Sequence, residues 1–235
     1  MINKLIRSIS IFRRKLKYKK LSYSYNAVDL IIEYLFKNKN NGFYVDIGCQ
    51  HPISNNNTYL LFNKGWSGIN IDLDKKNIEL FKISRPLDLN LNYAISNEVG
   101  EAKLYYYHNS SPINTLSYKV SNYQNAKIKE IKKVKTTTLN NIFSNINLTK
   151  KIDYMNIDVE GYEDLVLQGF DIKKYKPNVV SVEYLDLEMK NLMFKNNDIG
   201  QLLNSNLYKY FIENDYYFIN WLHGDLVFAH KDFRD

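Results

Sequence analysis

A single cysteine, Cys49, leaves no partner for an intrachain disulfide, so packing and hydrogen bonds must hold this fold, and a reducing compartment suits it. Cys49 is either a nucleophile or, more blandly, a small buried residue beside a ligand. No apolar run approaches the ~20 residues that a membrane-spanning helix requires. No segment has the charged start, apolar centre and small-residue cleavage site of a secretory leader, so a cytoplasmic protein is expected, with the inner face of a membrane as a further location. Residues 1–28 lack acidic side chains altogether but carry eight Lys or Arg, leaving 24 basic against 25 acidic residues elsewhere. The net charge of +7 therefore belongs to one end, and the body is close to neutral. What is plentiful is ordinary for a globular protein: 45% of the 235 residues are hydrophobic and 24% charged, enough for one sizeable core.

The charge divides the chain into a basic arm or helix, residues 1–26, and one domain, residues 27–235. The arm mixes Leu5, Ile6, Ile9, Ile11, Phe12 and Leu16 with its basic residues. Such a segment can lie on an anionic membrane, bind a polyanion or stay solvated. Apolar residues at helical spacing from Ala27 to Lys37 predict a helix packed on a sheet.

The stretch Phe43–Pro52 reads as a buried strand running into a tight turn: Val45 and Ile47 alternate with Tyr44 and Asp46, and Gly48 lets the backbone approach a ligand closely. A carboxylate repels a pyrophosphate but suits an amine or a sulfonium, so Asp46 favours S-adenosylmethionine over a dinucleotide. The later glycines of the dinucleotide fingerprint are missing as well. The blander alternative makes Asp46 a turn cap and Gly48 a simple bend.

Downstream, Asn57–Lys64 reads as a helix and Gly68–Asp72 as the second strand, with Asp72 at its tip, where a carboxylate accepts both hydroxyls of a ribose or caps the next helix. A third strand is expected over Leu91–Ile95; Asp88 and Asn92 beside it face an adenine or the surface. Ala102–His108 and Ile131–Thr137 read as strands flanking a polar insertion, 109–129, over the mouth of the sheet, and Asn114 and Ser117 in it are acceptor-binding candidates. Strand Ile152–Ile157 runs into Asp158-Val-Glu160-Gly161 and a helix, strand Asn178–Val182 ends at Glu183, and a helix spans 199–207. Two closing strands, Tyr216–Trp221 and Asp225–His230, form a hairpin. Repeated strand, acidic turn and helix imply an α/β doubly wound, mostly parallel sheet, Rossmann-like, here seven-stranded and closed by an antiparallel hairpin.

The blocks Tyr44–Gly48, Ser54–Leu61, Gly65–Asp72, Val134–Leu139 and Ile152–Gly161 together resemble the FkbM-type methyltransferases; Gln50-His-Pro52 departs from the pattern where many relatives have another glycine. The resemblance implies a class I methyltransferase fold, S-adenosylmethionine-dependent O-methylation of sugar hydroxyls in surface polysaccharides or other glycans, and cofactor roles for Asp46, Gly48 and Asp72.

A sugar hydroxyl is a poor nucleophile near neutral pH and needs a base or a cation. Asp158 and Glu183, at neighbouring strand tips, and Glu160 beyond them suit Mg²⁺ or Mn²⁺; alternatively Asp158 is a metal-free base, or Glu160 neutralises a helix N-terminus and Glu183 pairs with a lysine. His51, in the cofactor loop, is a further base candidate, and His223 and His230 are read near the acceptor. The expected partner is a sugar or nucleotide-sugar acceptor, with a homo-oligomer compatible; nucleic acid is not expected, since the basic charge does not line the crevice. The competing class is a non-catalytic cofactor-binding or membrane-docking module of a glycan-assembly complex.

Overall fold

The computed structural model describes residues 2–17, 19–123, 126–184 and 198–233. Helix α1 (Ile2–Lys17) precedes α2 (Val28–Leu35), after which strands and helices alternate: β1 (Phe43–Ile47), α3 (Tyr59–Phe62), β2 (Ser67–Asp72), α4 (Lys75–Ser84) and β3 (Leu89–Asn92). A smaller unit follows, with β4 (Ala94–Ile95), β5 (Gly100–Tyr106), α5 (Tyr118–Tyr123) and β6 (Glu130–Thr137). The chain then runs through α6 (Leu139–Asn145), β7 (Tyr154–Ile157), α7 (Glu163–Gln168), α8 (Ile172–Tyr175), β8 (Val179–Glu183), α9 (Ile199–Asn204), α10 (Asn206–Glu213), β9 (Tyr216–Leu222) and β10 (Asp225–His230).

The main sheet has seven strands in the order β3-β2-β1-β7-β8-β10-β9. β1, β2, β3, β7 and β8 are mutually parallel, and β10 runs antiparallel to both β8 and β9. The order reverses between β1 and β7, which opens a crevice at the carboxyl ends of these strands.

Because successive side chains in a strand point to opposite faces, the two faces of the sheet carry different residues. One face is apolar throughout: Val45, Ile47, Ile69, Ile71, Met155, Ile157, Val180 and Val182 pack against Phe143 of α6, Val166 of α7 and Phe211 of α10. The other face begins in the same way, with Tyr44, Tyr154, Val179 and Val227 against Val28 and Ile32 of α2 and against Leu61 and Trp66. It turns polar toward the carboxyl ends, and that change positions the site.

Three local departures from the expected elements have physical causes. The strand expected over Leu91–Ile95 divides at Tyr93, whose N–H donates to the Asp72 carbonyl; Ala94 and Ile95 then leave the main sheet to pair with Thr136 and Thr137. The helix expected over Asn57–Lys64 shrinks to α3, because the side chains of Asn57 and Thr58 are drawn inward to Asn156 and Asp46. The helix expected over 199–207 breaks at Ser205, which leaves the helical conformation and caps α10 through its hydroxyl.

The insertion packs over the β7 turn. Thr115 Oγ1 donates to the Glu160 carbonyl, and α5 sets Val120 so close to Gly161 that a Cβ there would lie 2.2 Å from its methyl group. Residues 124 and 125 of the insertion lie outside the described residues.

Candidate active site

Two rows of polar side chains cross the polar face. The lower row is set by register: Asp46 of β1 pairs with Asn70 of β2 and Asn156 of β7, and Asn156 pairs with Ser181 of β8. All four are buried. Asn156 Nδ2 donates to Asp46 Oδ1 at 2.9 Å, while Thr58 Oγ1 and Asn56 Nδ2 donate to Oδ2 at 2.8 and 3.1 Å. Ser181 and Asn57 both donate to Asn156 Oδ1.

Below this row lies Arg85, fully buried. Its Nη2 donates to the Pro52 carbonyl at 2.6 Å and to Asn56 Oδ1 at 2.8 Å, its Nη1 to Thr58 Oγ1 at 2.8 Å, and its guanidinium sits among the rings of Phe81, Phe62, Tyr59 and Tyr44. Asp88 accepts from Tyr44 Oη, Gly68 N–H and Asn70 Nδ2. One guanidinium thus stands between two buried carboxylates, Asp46 and Asp88, an arrangement tolerable in a low dielectric because both terminal nitrogens and both carboxylates are hydrogen-bonded; only Arg85 Nε is left without a partner. Burial pushes the Asp46 carboxyl up, with Asn156, Arg85, Thr58 and Asn56 opposing.

Two residues further along each strand the same face presents Asp72, Gly48, Asp158 and Glu183, and Asp225 stands directly opposite Glu183 across the β8–β10 pair. This upper row lies at the carboxyl ends. Gly48 brings the loops together: its φ is +78°, and a Cβ would overlap the Asp158 carbonyl at 1.7 Å. Asp72 accepts backbone N–H groups from Gln50 at 2.8 Å and Asp74 at 2.7 Å, and burial raises its pKa to about 6.

Beyond Gly48 the row becomes a crowd of carboxylates. Asp158, Glu160 and Glu183 each present an oxygen within 4.8 Å of the others. Burial is the largest influence pushing Asp158 well above the usual carboxylate range, and the charges of Glu160, Asp225 and Glu163 push in the same direction. Glu183 is raised likewise by burial and then by Asp158, and its Oε2 is buried without a hydrogen-bond partner. Burial and Glu163 bring Glu160 to about 8. Among the described residues, no lysine or arginine forms a salt bridge with any of these acids.

Several expected positions fall elsewhere. Asp46 is enclosed in the lower row and does not line the crevice. Asp88 precedes β3 and binds the first residues of β1 and β2, at the opposite edge from a ligand over the carboxyl ends. Asn114 spends its amide on Tyr107 N–H and the His108 carbonyl, bracing its own loop, and Ser117 caps α5 through Val120 N–H. His51 accepts from Ile53 and Ser54 N–H groups at Nδ1, which leaves the neutral ring's proton on Nε2 and no nitrogen free to act as a base. His230 is at the far end of β10, bonded through its N–H to the Asn178 carbonyl, so it is remote from the acceptor side. Cys49 is buried with Ile78 and Phe81, and burial pushes its thiol up, which suits the packing role. Glu163, not Glu160, closes the turn before α7, accepting from Val159 and Gly161 N–H groups.

Asn92 lies beside the β2 tip and donates to the Asp72 and Leu73 carbonyls. His223 sits in the hairpin turn at the carboxyl edge, edge-on to Tyr25. Asp225, absent from the expected set, joins the acid row, and Asn26 Nδ2 donates to its Oδ2 at 3.0 Å. Asp225 could have been found by pairing the start of the last strand with Glu183. Arg85 has no local signal, because the hydrogen-bond partners of its guanidinium are scattered from residue 44 to residue 70.

The arrangement offers a carboxylate at the β2 tip for a diol, and a half-crevice crowded with acids whose charge is poorly compensated, one of which can take up a proton when ionised. Comparison with known proteins agrees in kind: no curated protein and no solved structure matches the chain, but the family model described as the methyltransferase FkbM domain matches residues 40–210. With most of its length covered, and with a mixed α/β fold around a mostly parallel seven-stranded sheet, the chain belongs to the FkbM methyltransferase family.

Proposed function

We propose that the protein is an S-adenosylmethionine-dependent O-methyltransferase acting on a sugar hydroxyl, either of a nucleotide-activated sugar or of a surface-polysaccharide precursor. The observation that carries this reading is the acid row. Asp158, Glu160, Glu183 and Asp225 repel one another in a half-buried crevice, and among the described residues no lysine or arginine forms a salt bridge with them, His223 beside Asp225 being a basic neighbour. Such a field suits a cationic ligand.

Methyltransferases generally use S-adenosylmethionine, and the residues present fit it: Asp72 is placed at the β2 tip to accept ribose hydroxyls, with Asn92 and Gly48 beside it, and the negative row would face the positively charged end. When bound, it supplies an electrophilic methyl group on a sulfonium. The chain's own residues must then orient the acceptor and take its proton. The acceptor oxygen would take the methyl group as it leaves sulfur, which becomes a neutral thioether, and the acceptor's O–H proton would pass to the Asp158 carboxylate. A raised pKa makes Asp158 a stronger base once ionised. Glu183 and Asp225 accept hydrogen bonds from neighbouring hydroxyls, and Tyr25 and His223 at the rim present ring surface to the C–H face of a sugar.

A second reading adds a divalent cation. The mutual spacing of Asp158, Glu160 and Glu183, with the orphaned Glu183 Oε2, favours hard oxygen ligation of Mg²⁺ or Mn²⁺, which would acidify the acceptor hydroxyl.

The test is turnover of a panel of sugar nucleotides and oligosaccharides, weighed by mass spectrometry with and without chelator, for the native protein and for Asp158→Asn. Loss of turnover by about 10²-fold or more, with donor affinity unchanged by calorimetry, is the expected result. Donor binding without transfer to any acceptor would favour the non-catalytic module, and full activity of Asp158→Asn would discard the base. Loss of activity on chelation, restored by Mn²⁺, would select the metal reading.

A further inference from the structure

We infer that α1 docks on an anionic lipid bilayer, lying along its surface without crossing it. The helix sequence INKLIRSISIFRRKLK contains six Lys or Arg and no acid. Ile6, Ile9, Phe12 and Leu16 follow one another at steps of three, three and four residues, which sets these four apolar side chains along one stripe at helical periodicity, with Ile11 on the other side. Arg7, Arg14 and Lys15 fall outside that stripe, and Arg13 lies within it.

The stripe is not buried in the body of the protein. Residues 6–17 are all exposed, with Ile6 at 58%, Ile9 at 44%, Phe12 at 61% and Leu16 at 57%, and neither large core cluster includes an α1 residue. A helix with a dense basic face and a bare apolar stripe gains by sinking the stripe to the headgroup–acyl boundary while its charges meet anionic lipid. Spanning is excluded for it: sixteen residues rise only about 24 Å, and no described helix is long and apolar enough to cross a membrane. Charge complementarity commits the occupant to an anionic surface, because a helix with six basic residues and no acid of its own gains little from a zwitterionic one.

The segment that follows α1 is tied to the domain. Ser22 Oγ and Tyr23 N–H donate to Asp29, Asn56 N–H donates to the Tyr23 carbonyl, and Asn26 donates to Asp225 at the acceptor end of the acid row. From Ser22 onward the chain that follows α1 is therefore held to the domain, which keeps a docked α1 close to it.

The experiment is co-sedimentation of the full chain with vesicles of phosphatidylcholine alone and of phosphatidylcholine with phosphatidylglycerol, at low and high salt. The native protein is expected to bind the anionic vesicles at least about tenfold more tightly than the neutral ones, and less tightly in high salt. The double variant Ile9→Asn with Phe12→Asn should lose about tenfold or more of that affinity, as should Arg13→Glu with Arg14→Glu. Both pairs are exposed, so donor binding by calorimetry should be unchanged in both; that readout separates a failure of docking from a failure of the methyltransferase reading. The inference is overturned if anionic vesicles are not bound, if neutral vesicles bind equally well, or if the apolar pair can be replaced without loss. Tighter binding to duplex RNA than to the vesicles, insensitive to the apolar pair, would reassign α1 to a polyanion.

Discussion

The two polar rows lie on the same strands and the same face, one pleat apart, yet they are in opposite electrostatic conditions. In the lower row every carboxylate oxygen of Asp46 has a donor, Asp88 has three, and Arg85 lies among them. In the upper row Asp72 is held by two backbone N–H groups, but Asp158, Glu160 and Glu183 mainly face other acids, and one Glu183 oxygen has no partner. Polarity alone therefore does not mark a functional residue in this sheet. Whether the fold supplies donors does: a satisfied row is architecture, and a row left short of positive charge is where a cationic ligand or a proton can be accommodated.

The comparison is broken most severely from below. Arg85→Met removes the cation between two enclosed carboxylates while keeping much of the side-chain volume. Leaving buried charges unpaired costs about 3–5 kcal/mol, a large share of the roughly 5–15 kcal/mol that holds a domain folded. Denaturant unfolding should show a midpoint far below the native one, or the variant should be recovered only as aggregate. A native midpoint would mean that the lower row is not the sealed unit described above.

A smaller effect is expected at Asp72, the residue proposed to hold the donor's ribose. Asp72 is raised from 3.8 to about 6, so in the free protein it is mostly protonated at pH 5 and ionised at pH 7. Only the ionised form offers acceptors to both hydroxyls of a ribose. Donor affinity measured by calorimetry should fall by up to about tenfold per pH unit below 6. Asp72→Asn should bind about tenfold more weakly at pH 7 and lose that pH dependence. A native pH profile in Asp72→Asn would remove Asp72 from the donor site.

Much of this difference was legible in the sequence, but unevenly. Asp72, Asp158 and Glu183 follow runs of alternating apolar residues, so strand periodicity alone puts them at the carboxyl ends, and the parallel sheet then brings them together. The lower row follows the same periodicity two residues earlier, at Asp46, Asn70, Asn156 and Ser181, but one sequence contains nothing to say whether a strand-tip aspartate opens to a crevice or is closed by donors from elsewhere. That depended on Asn56 and Thr58, and the inward turn of Asn57 and Thr58 also shortened α3. Asp88 was misplaced for a related reason: proximity to β3 in sequence does not tell which end of the strand faces the ligand. Arg85 was invisible because its environment is assembled from five separate segments.

The mildest test uses pH to compare the rows without destroying either. Glu160 has its pKa pushed up from an ordinary 4.5 to about 8 in the folded protein, by burial and then by Glu163. A carboxyl whose folded pKa is raised holds its proton more tightly when folded, so unfolding releases that proton, and stability falls as pH rises from about 4.5 to about 8. Below that window the group is neutral in both states and costs nothing. Replacing it by glutamine removes the ionisation, so Glu160→Gln should leave thermal stability unchanged near pH 5 and raise Tm by roughly 2–6 °C near pH 9, the shift that one to two kcal/mol produces in a chain of this size. Because Glu160 is only half-buried, solvent screening keeps the effect at that modest level. The same substitution should diminish any stabilisation of the native protein by Mn²⁺ at pH 8, where the cation would otherwise offset the repulsion. Equal Tm shifts at both pH values would show that Glu160 acts through packing, and the upper row would then be no more strained by charge than the lower one.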